Sequence, residues 1–414
     1  MRAGAWRGIA GRHLLAGAAC LILAQLAASW AGRLRVGDAE QVKLGAVLTE
    51  LPPGEFAGTM LLGGLRGLVI DLLWMRAIGA KDDGRHHESL ALSQLITRVQ
   101  PRFEQVWEFI GHDLAYNIAA QHEDRADKWN WYRVGMQSLA RGATRNPESS
   151  RLLRNWAWMV LHRGSDFPAE HGQADWSADL AALFTAAWPG GPFIQGDGQG
   201  DGTAFAWHWD GPEPAEGTPL LAYREGALVG RGAWRSRTVI WDGAAPAAGS
   251  FTLVESLSAP LLSARLYARS WQLSDPELRT RTSHVIRFLA INLDREAARE
   301  RALGRHRRTL ELELASLARW QEAIAWGLDP ASGLEPEVLD IHLEACFRNE
   351  GRCRERAAWL AVQLATDPIQ GAQLAAAIRE RRVEEAERLL ATGSWHESVP
   401  ARAGVRWYED EAAP

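Results

Sequence analysis

The sequence has few cysteines and carries none of the short motifs that mark the common catalytic sites. Three cysteines in 414 residues exclude a small fold held together by several disulfide bonds. There is no phosphate-binding P-loop, no HExxH zinc motif, no GxSxG nucleophile elbow and no CxxC pair. The formal net charge of −5 shows no basic excess, so no nucleic-acid partner is expected. We therefore predict no catalytic, cofactor-binding or metal-binding residues and favour a non-catalytic role.

Two of the cysteines, Cys346 and Cys353, leave a question of local structure open. On one unbroken helix their separation of seven residues spans about 10 Å, which is too far for a disulfide bond. The intervening "FRNEGR" also resembles a helix–turn, because Asn349 and Gly351 suit a helix C-terminus. Two free thiols and one disulfide bond that closes a helical hairpin are therefore the alternatives.

Tryptophan, in contrast, is abundant. The chain contains 20 tryptophans, several of them in close pairs such as Trp129/Trp131 and Trp207/Trp209. Because tryptophan is common in cores and at interfaces, we favour core packing as the main role of these residues.

The N-terminus has the pattern of a membrane-directed segment. Residues 13–31 contain no charged side chain apart from His13 and are long enough for a transmembrane helix. Arginines without an acid precede them, which favours a cytoplasmic location for residues 1–12. The "SWA" before Gly32 resembles a cleavage site, so a removed signal peptide is the alternative. We predict a single-pass protein of the bacterial inner membrane with its body on the periplasmic side.

A second apolar run, "LLGGLRGLVIDLLWMRA" at residues 61–77, is apolar all round when placed on a helix. Arg66 and Asp71 would each cost roughly 2.5–3.5 kcal/mol at mid-membrane, so we predict a buried helix over residues 60–80 rather than a second span. A buried carboxylate needs a partner, and Arg66, Arg76 and Arg102 are the candidates. We predict a structural ion pair between Asp71 and Arg102 or Arg66.

Composition and periodicity divide the rest of the chain. Apolar residues recur at helical spacing on both sides of a segment that is rich in glycine and proline, with short β-type runs. The predicted regions are a linker, a helical domain, an irregular insert, a second helical region and a tail, at residues 32–59, 60–188, 189–265, 266–393 and 394–414.

Several of these helices end in a polar residue followed by proline. Counting back from Pro147 gives Gly135, Leu139 and Gly142, which resembles the second helix of a tetratricopeptide repeat. A closer resemblance covers residues 61–160 and rests on "GRHHE", "QPRFEQVWEF", "LAYNIA", "RNPES" and "NWAW" in addition to the run at 61–77. These stretches look like a group of bacterial proteins, without an assigned activity, that combine an N-terminal membrane helix with tetratricopeptide-like helices. The resemblance implies location and architecture only.

The predicted fold is therefore mainly α-helical. It consists of an N-terminal transmembrane helix, irregular tetratricopeptide-like helical hairpins, and an insert that contains some short β-strand. Stacked helical hairpins leave a groove that commonly binds other proteins. We predict a membrane-anchored scaffold that binds other envelope proteins, with a surface that includes Trp107, Tyr116, Asn117, Trp129 and Trp131.

An envelope enzyme or glycan-binding protein, with its site in residues 189–260, is the alternative. Its basis is "WHWD", which places Trp207, His208, Trp209 and Asp210 together. A metal site at His86, His87 and Glu88 with His112 and Asp113, and a calcium loop at Asp197 and Asp201, are weaker candidates, because a helix start and a flexible glycine-rich loop explain these residues better. A transporter subunit would need a second span.

Overall fold

The computed structural model describes residues 66–166, 195–274 and 282–400, apart from 201–204, 210–212, 215–216 and 226. Within these ranges the chain forms eleven α-helices and six β-strands. It divides into two compact units, residues 1–122 and 123–414.

The first unit contains helices α1 to α3 and two irregular turns of helix. Their bounds are Arg66–Asp82, His86–Val99 and Glu104–His112, followed by a π-helical segment Asp113–Ile118 and a 3₁₀ turn Ala119–Gln121. Helix α1 packs against α2 through a narrow face.

Helix α1 differs from the expected helix that is buried all round. Ile70, Ala77 and Ala80 are buried, whereas Leu68 and Met75 are about 60% exposed. The apolar residues of the run therefore divide between a buried face and an exposed face.

The described residues of the second unit form eight helices. They are α4 Arg125–Arg145, α5 Ser150–Leu161, α6 Ala259–Leu273, α7 Ser283–Ala302, α8 His306–Leu328, α9 Pro336–Leu364, α10 Pro368–Arg379 and α11 Val383–Thr392. Each helix packs against the next in this order, which makes one continuous array. Helices α5 and α6 are neighbours although the whole insert lies between them in the sequence.

Local sequence signals set where these helices begin. The side chain of Asp124 accepts hydrogen bonds from the Ala126 and Asp127 amides at the start of α4. Ser149 and Ser258 cap α5 and α6 in the same way, because a short polar side chain satisfies a free amide of the first turn.

Helix α9 decides the question raised by the cysteines. It runs without a break through "FRNEGR", so no helix–turn forms there. Cys346 and Cys353 both lie on it, buried and as free thiols.

The insert forms an antiparallel sheet of strands β1 to β6 in the order β2-β1-β6-β3-β4-β5. The strands are Gln195–Gly200, Phe205–Trp209, Pro219–Arg224, Ala227–Arg235, Thr238–Trp241 and Gly249–Glu255. The ring centroids of Phe205 on β2 and Trp241 on β5 are 6.0 Å apart, although these strands are opposite ends of the strand order. The sheet therefore curls until side chains from its two edges meet.

Glycine at alternate positions allows this curl. In β1, Gly196 and Gly198 lie on the inner face, and Asp197 and Gln199 are exposed on the outer face. A Cβ atom at Gly198 would lie 2.5 Å from the Phe251 ring, so only glycine leaves room for that ring. The segment expected to be an irregular loop is a strand because its glycines make space for neighbouring rings.

The predicted fold class is corrected on two points. The predicted membrane segment, 13–31, lies outside the described residues, and no helix within them combines the length and apolarity needed to cross a membrane. The insert is a complete six-stranded sheet rather than irregular chain with some short strand. The described protein is a helical array with an inserted curled sheet.

Candidate functional site

The residues predicted to form an ion pair are not buried together. Asp71 lies on the exposed side of α1, and Arg102 is exposed after α2. The side chain of Arg66 lies outside the described residues. An exposed carboxylate does not need a buried partner, so the reason for expecting this pair is absent.

The predicted interaction surface is largely core. Trp107, Trp129 and Trp131 are at most 7% exposed. The indole Nε1 of Trp107 donates to the Pro101 carbonyl at 2.8 Å. Tyr116 is half-buried, and of the five predicted residues Asn117 alone is exposed. Three of these side chains therefore cannot contact a partner without unfolding.

The alternative cleft in the insert does not form. Trp207 and Trp209 face the interior of the curled sheet, where both contact the Trp234 ring edge-on. His208 points to the opposite, exposed face, and Asp210 lies outside the described residues. The two indoles are partly buried and pack against the core of the sheet, so they do not form an open platform for a sugar ring.

The candidate metal residues of the first unit form a different arrangement. Lys81 Nζ donates to Asp113 Oδ1 at 2.9 Å, and Asn117 donates to the same oxygen at 2.7 Å. The rings of His86 and His122 lie 5.5 Å apart, and burial lowers the pKa of His86 below its ordinary value. An ammonium group already balances the Asp113 carboxylate.

A buried polar cluster links α7, α8 and α9. Arg356 donates to both carboxylate oxygens of Glu313, at 2.7 and 2.9 Å, and reaches Asp294 at 3.4 Å. Asp294 also accepts from the Ser316 hydroxyl at 2.7 Å and from the Trp320 indole at 3.0 Å. Burial raises the pKa of Asp294 to about 6.

Ligand atoms of Asp294, Glu313 and Cys353 lie within 4.8 Å of one another, which is close enough to hold a metal ion. The Arg356 guanidinium, however, already supplies a cation to both carboxylates. Burial raises the pKa of the Cys353 thiol well above its ordinary value, which disfavours the thiolate that a metal requires. We interpret this cluster as a structural ion network that joins three helices.

The second thiol has a histidine beside it but not the chemistry of a nucleophile. Cys346 Sγ lies 3.7 Å from His342 Nε2, and both residues are fully buried. Burial raises the pKa of Cys346 to about 11 and lowers that of His342. The pair is therefore neutral and is bound to the core through a 2.8 Å hydrogen bond from His342 to the Ala323 carbonyl.

An open cavity of about 280 Å³ lies on the helical array, where α5, α6 and α7 meet. The described residues of its lining combine four rings with three other polar side chains and include no carboxylate: Arg154, Asn155, Trp158, Tyr267, Thr282, His284 and Phe288. We call this the α5–α7 cavity. A concave site with rings and a few polar groups is the usual form of a binding site.

The rings of the α5–α7 cavity contact one another. Phe288 stacks with Tyr267 at 5.7 Å and with His284 at 6.4 Å, and meets Trp158 edge-on at 5.4 Å. Trp158 is 37% exposed, so part of its indole remains available to a ligand.

Two polar groups of the cavity have no partner among the described residues. Arg154 is half-buried and forms no hydrogen bond or ion pair within the described residues. The Oγ1 atom of Thr282 is buried, again without a hydrogen-bond partner among the residues that the structure describes. Buried polar groups are normally satisfied, so these two are candidates for ligand contacts.

Buried hydrogen bonds hold the three helices in place beneath the cavity. The Ser263 hydroxyl on α6 donates to the Ala157 carbonyl on α5 at 2.9 Å. Asn292 on α7 donates to Ser263 at 3.2 Å and to the Phe288 carbonyl at 2.7 Å. These bonds fix the spacing of the helices that carry the lining residues.

The sequence alone does not predict this cavity, although it shows parts of it. Arg154 and Trp158 are four residues apart on α5, and His284 and Phe288 are four apart on α7, so each pair shares a helix face. The contact between α5 and α6 across the insert could not be read from the sequence.

No protein-family model matches the chain, and no curated protein matches it either.

Proposed function

We propose that this protein is a binding module whose helical array holds a peptide segment of a partner protein in the α5–α7 cavity. The observation that carries this proposal is the cavity itself: an open site, built by three helices, with exposed aromatic surface and unpartnered polar groups. Partly exposed aromatic side chains in such sites commonly dominate protein–protein affinity.

The buried thiols and carboxylates, which could have served in catalysis, also support a binding role. In the described part of the chain the two thiols are buried with raised pKa values. The most buried carboxylates are engaged by arginines, as Glu313 is by Arg356 and Glu350 is by Arg354. These groups stabilise the array instead of facing a substrate.

The apolar run at residues 13–31 and the arginines before it are the basis for placing the partner in the bacterial envelope. This part of the proposal rests on sequence alone, because these residues lie outside the described ranges.

Selection of displayed peptides on the purified full-length protein tests the proposal. We expect enriched peptides whose binding falls at least about tenfold in Trp158→Ala and Phe288→Ala, since truncating a central aromatic residue commonly costs 2 kcal/mol or more. Phe347→Ala is the matched control, because Phe347 is 43% exposed on α9 and does not line the cavity.

The proposal fails if no peptide is enriched, or if enriched peptides bind all three variants as tightly as the parent. Circular dichroism of each variant separates a lost contact from a lost fold.

A further inference from the structure

We infer that the α5–α7 cavity selects an acidic peptide motif, in which a carboxylate lies beside an apolar or aromatic side chain; this inference rests on the proposed peptide-binding function. Four features of the cavity support it.

The first is the charge of Arg154. Two half-buried arginines of the second unit have carboxylate partners: Arg265 has Glu255 at 2.6 Å and Arg356 has Glu313 at 2.7 Å. Arg154 has none within the described ranges, and none of the described residues that line the cavity is a carboxylate. A guanidinium in this setting binds a carboxylate through two parallel hydrogen bonds, which no neutral group reproduces.

The second is the start of α7. Thr282 occupies the N-cap position of this 20-residue helix, yet its side chain makes no capping hydrogen bond. The helix N-terminus carries a partial positive charge, and its first amides lack helical partners. Arg154 and the buried Thr282 hydroxyl line the same cavity as this helix start, and all three features favour an anion.

The third is the aromatic wall. The exposed part of Trp158 lies one helical turn from Arg154, so a ligand carboxylate on the guanidinium places its neighbouring side chain against the indole. Ring edges carry positive partial charge, which does not oppose a nearby carboxylate.

The fourth is size. Small-molecule sites usually have volumes of about 300–1,000 Å³. The cavity, at about 280 Å³, lies just below that range and is open to solvent. It therefore suits one or two side chains of an extended segment better than a bulky cofactor or a nucleotide.

Short Gly/Ser peptides that carry a single Asp–Phe pair and blocked termini provide the test. Titration into the full-length protein, followed by calorimetry, compares this peptide with its Asn–Phe and Lys–Phe counterparts. We expect the Asp–Phe peptide to bind at least about tenfold more tightly than the Asn–Phe peptide, because a hydrogen bond to a charged group is stronger than one to a neutral amide.

The protein variant Arg154→Gln should remove this preference while leaving the weaker Asn–Phe binding unchanged. Arg151→Gln, an exposed arginine on the same helix that does not line the cavity, is the matched control and should keep the preference. Arg154→Glu should reverse it and favour the Lys–Phe peptide, which a general loss of folding cannot produce.

A further pair of peptides, ending in Phe with a free or an amidated C-terminus, separates a terminal carboxylate from a side-chain carboxylate as the recognised group. Equal binding of the Asp and Asn peptides, or a preference that survives in Arg154→Gln, overturns the inference. The inference is also overturned if adenosine monophosphate binds more tightly than the Asp–Phe peptide and this binding requires Arg154 and Trp158. If display selection finds no peptide at all, the proposed function itself has failed, which is a different result.

Discussion

At the scale of single residues, burial decides the charge state of Asp294. Its neighbours are both acidic and basic: Glu313 raises its pKa, and Arg356 and the hydrogen bonds from Ser316 and Trp320 lower it. Burial has a larger effect than Arg356 and the two hydrogen bonds, and it raises the pKa of Asp294 from 3.8 to about 6. The carboxyl group therefore binds its proton more tightly in the folded than in the unfolded protein.

This shift predicts a pH-dependent stability. A raised pKa contributes stability that is fully present below the unfolded value, near pH 4, and is lost as the pH rises through about 6. In Asp294→Asn this contribution is absent, so from about pH 4 to 7 the parent should lose up to about 3 kcal/mol of unfolding free energy relative to the variant. Urea unfolding across this range measures the difference.

Asp340→Asn is the control for that comparison, since Asp340 is exposed on α9. Its unfolding free energy should follow that of the parent at every pH. Parallel curves for the parent and Asp294→Asn would show that Asp294 titrates normally.

At the scale of elements, strand β1 shows how composition can mislead. Its sequence, "QGDGQG", lacks the branched and aromatic residues typical of strands. It pairs on both sides, with β2 and β6, because its glycines fit beneath Phe251, Trp207 and Trp209. The side chains that stabilise this strand belong to its neighbours.

Gly198→Ala should therefore destabilise the sheet although alanine is a mild substitution. The new methyl group would lie 2.5 Å from Phe251 and 2.9 Å from Trp207. Overpacking of this kind costs about 1–3 kcal/mol, and thermal unfolding followed by near-ultraviolet circular dichroism reports it through the tryptophans. Gly243→Ala, where nothing lies within 4 Å, should have no effect. A similar melting temperature for both variants would mean that the rings do not close over β1.

At the scale of the second unit, one ion pair joins the sheet to the helical array. The guanidinium of Arg265 on α6 donates two hydrogen bonds of 2.6 Å to Glu255, the last residue of β6. Glu255 is 7% exposed, so removal of its partner leaves a buried charge.

Arg265→Ala should lower the free energy of unfolding by about 3 kcal/mol, the low end for breaking a buried pair, because Arg265 is partly exposed. Arg237→Ala, which removes an exposed pair with Glu213 at 3.5 Å, should change it by less than about 1 kcal/mol. A double-mutant cycle with Glu255→Gln measures the coupling. Additive effects would show that the sheet and the array are not held together by this contact.

The helices could be anticipated from sequence more fully than the cavity could. Apolar spacing predicted helical chain on both sides of the insert, and short polar residues such as Ser149 and Ser258 cap the helices that begin there. The all-round apolar pattern of 61–77 predicted burial but not which side of α1 would be covered, since Leu68 and Ile70 are equally apolar and differ only in their neighbours.

The sequence alone determined the helical pattern of this protein, the position of its insert and the absence of familiar catalytic motifs, because these depend on residue order over short distances. The tertiary structure decided which tryptophans are core, that glycines can build a strand, and that Arg154, Thr282 and Phe288 meet in one cavity. The cavity depends on α5 packing against α6 across the insert, and the glycine-rich strand depends on rings of its neighbouring strands. Such contacts follow from the burial of complementary surfaces that no local pattern specifies.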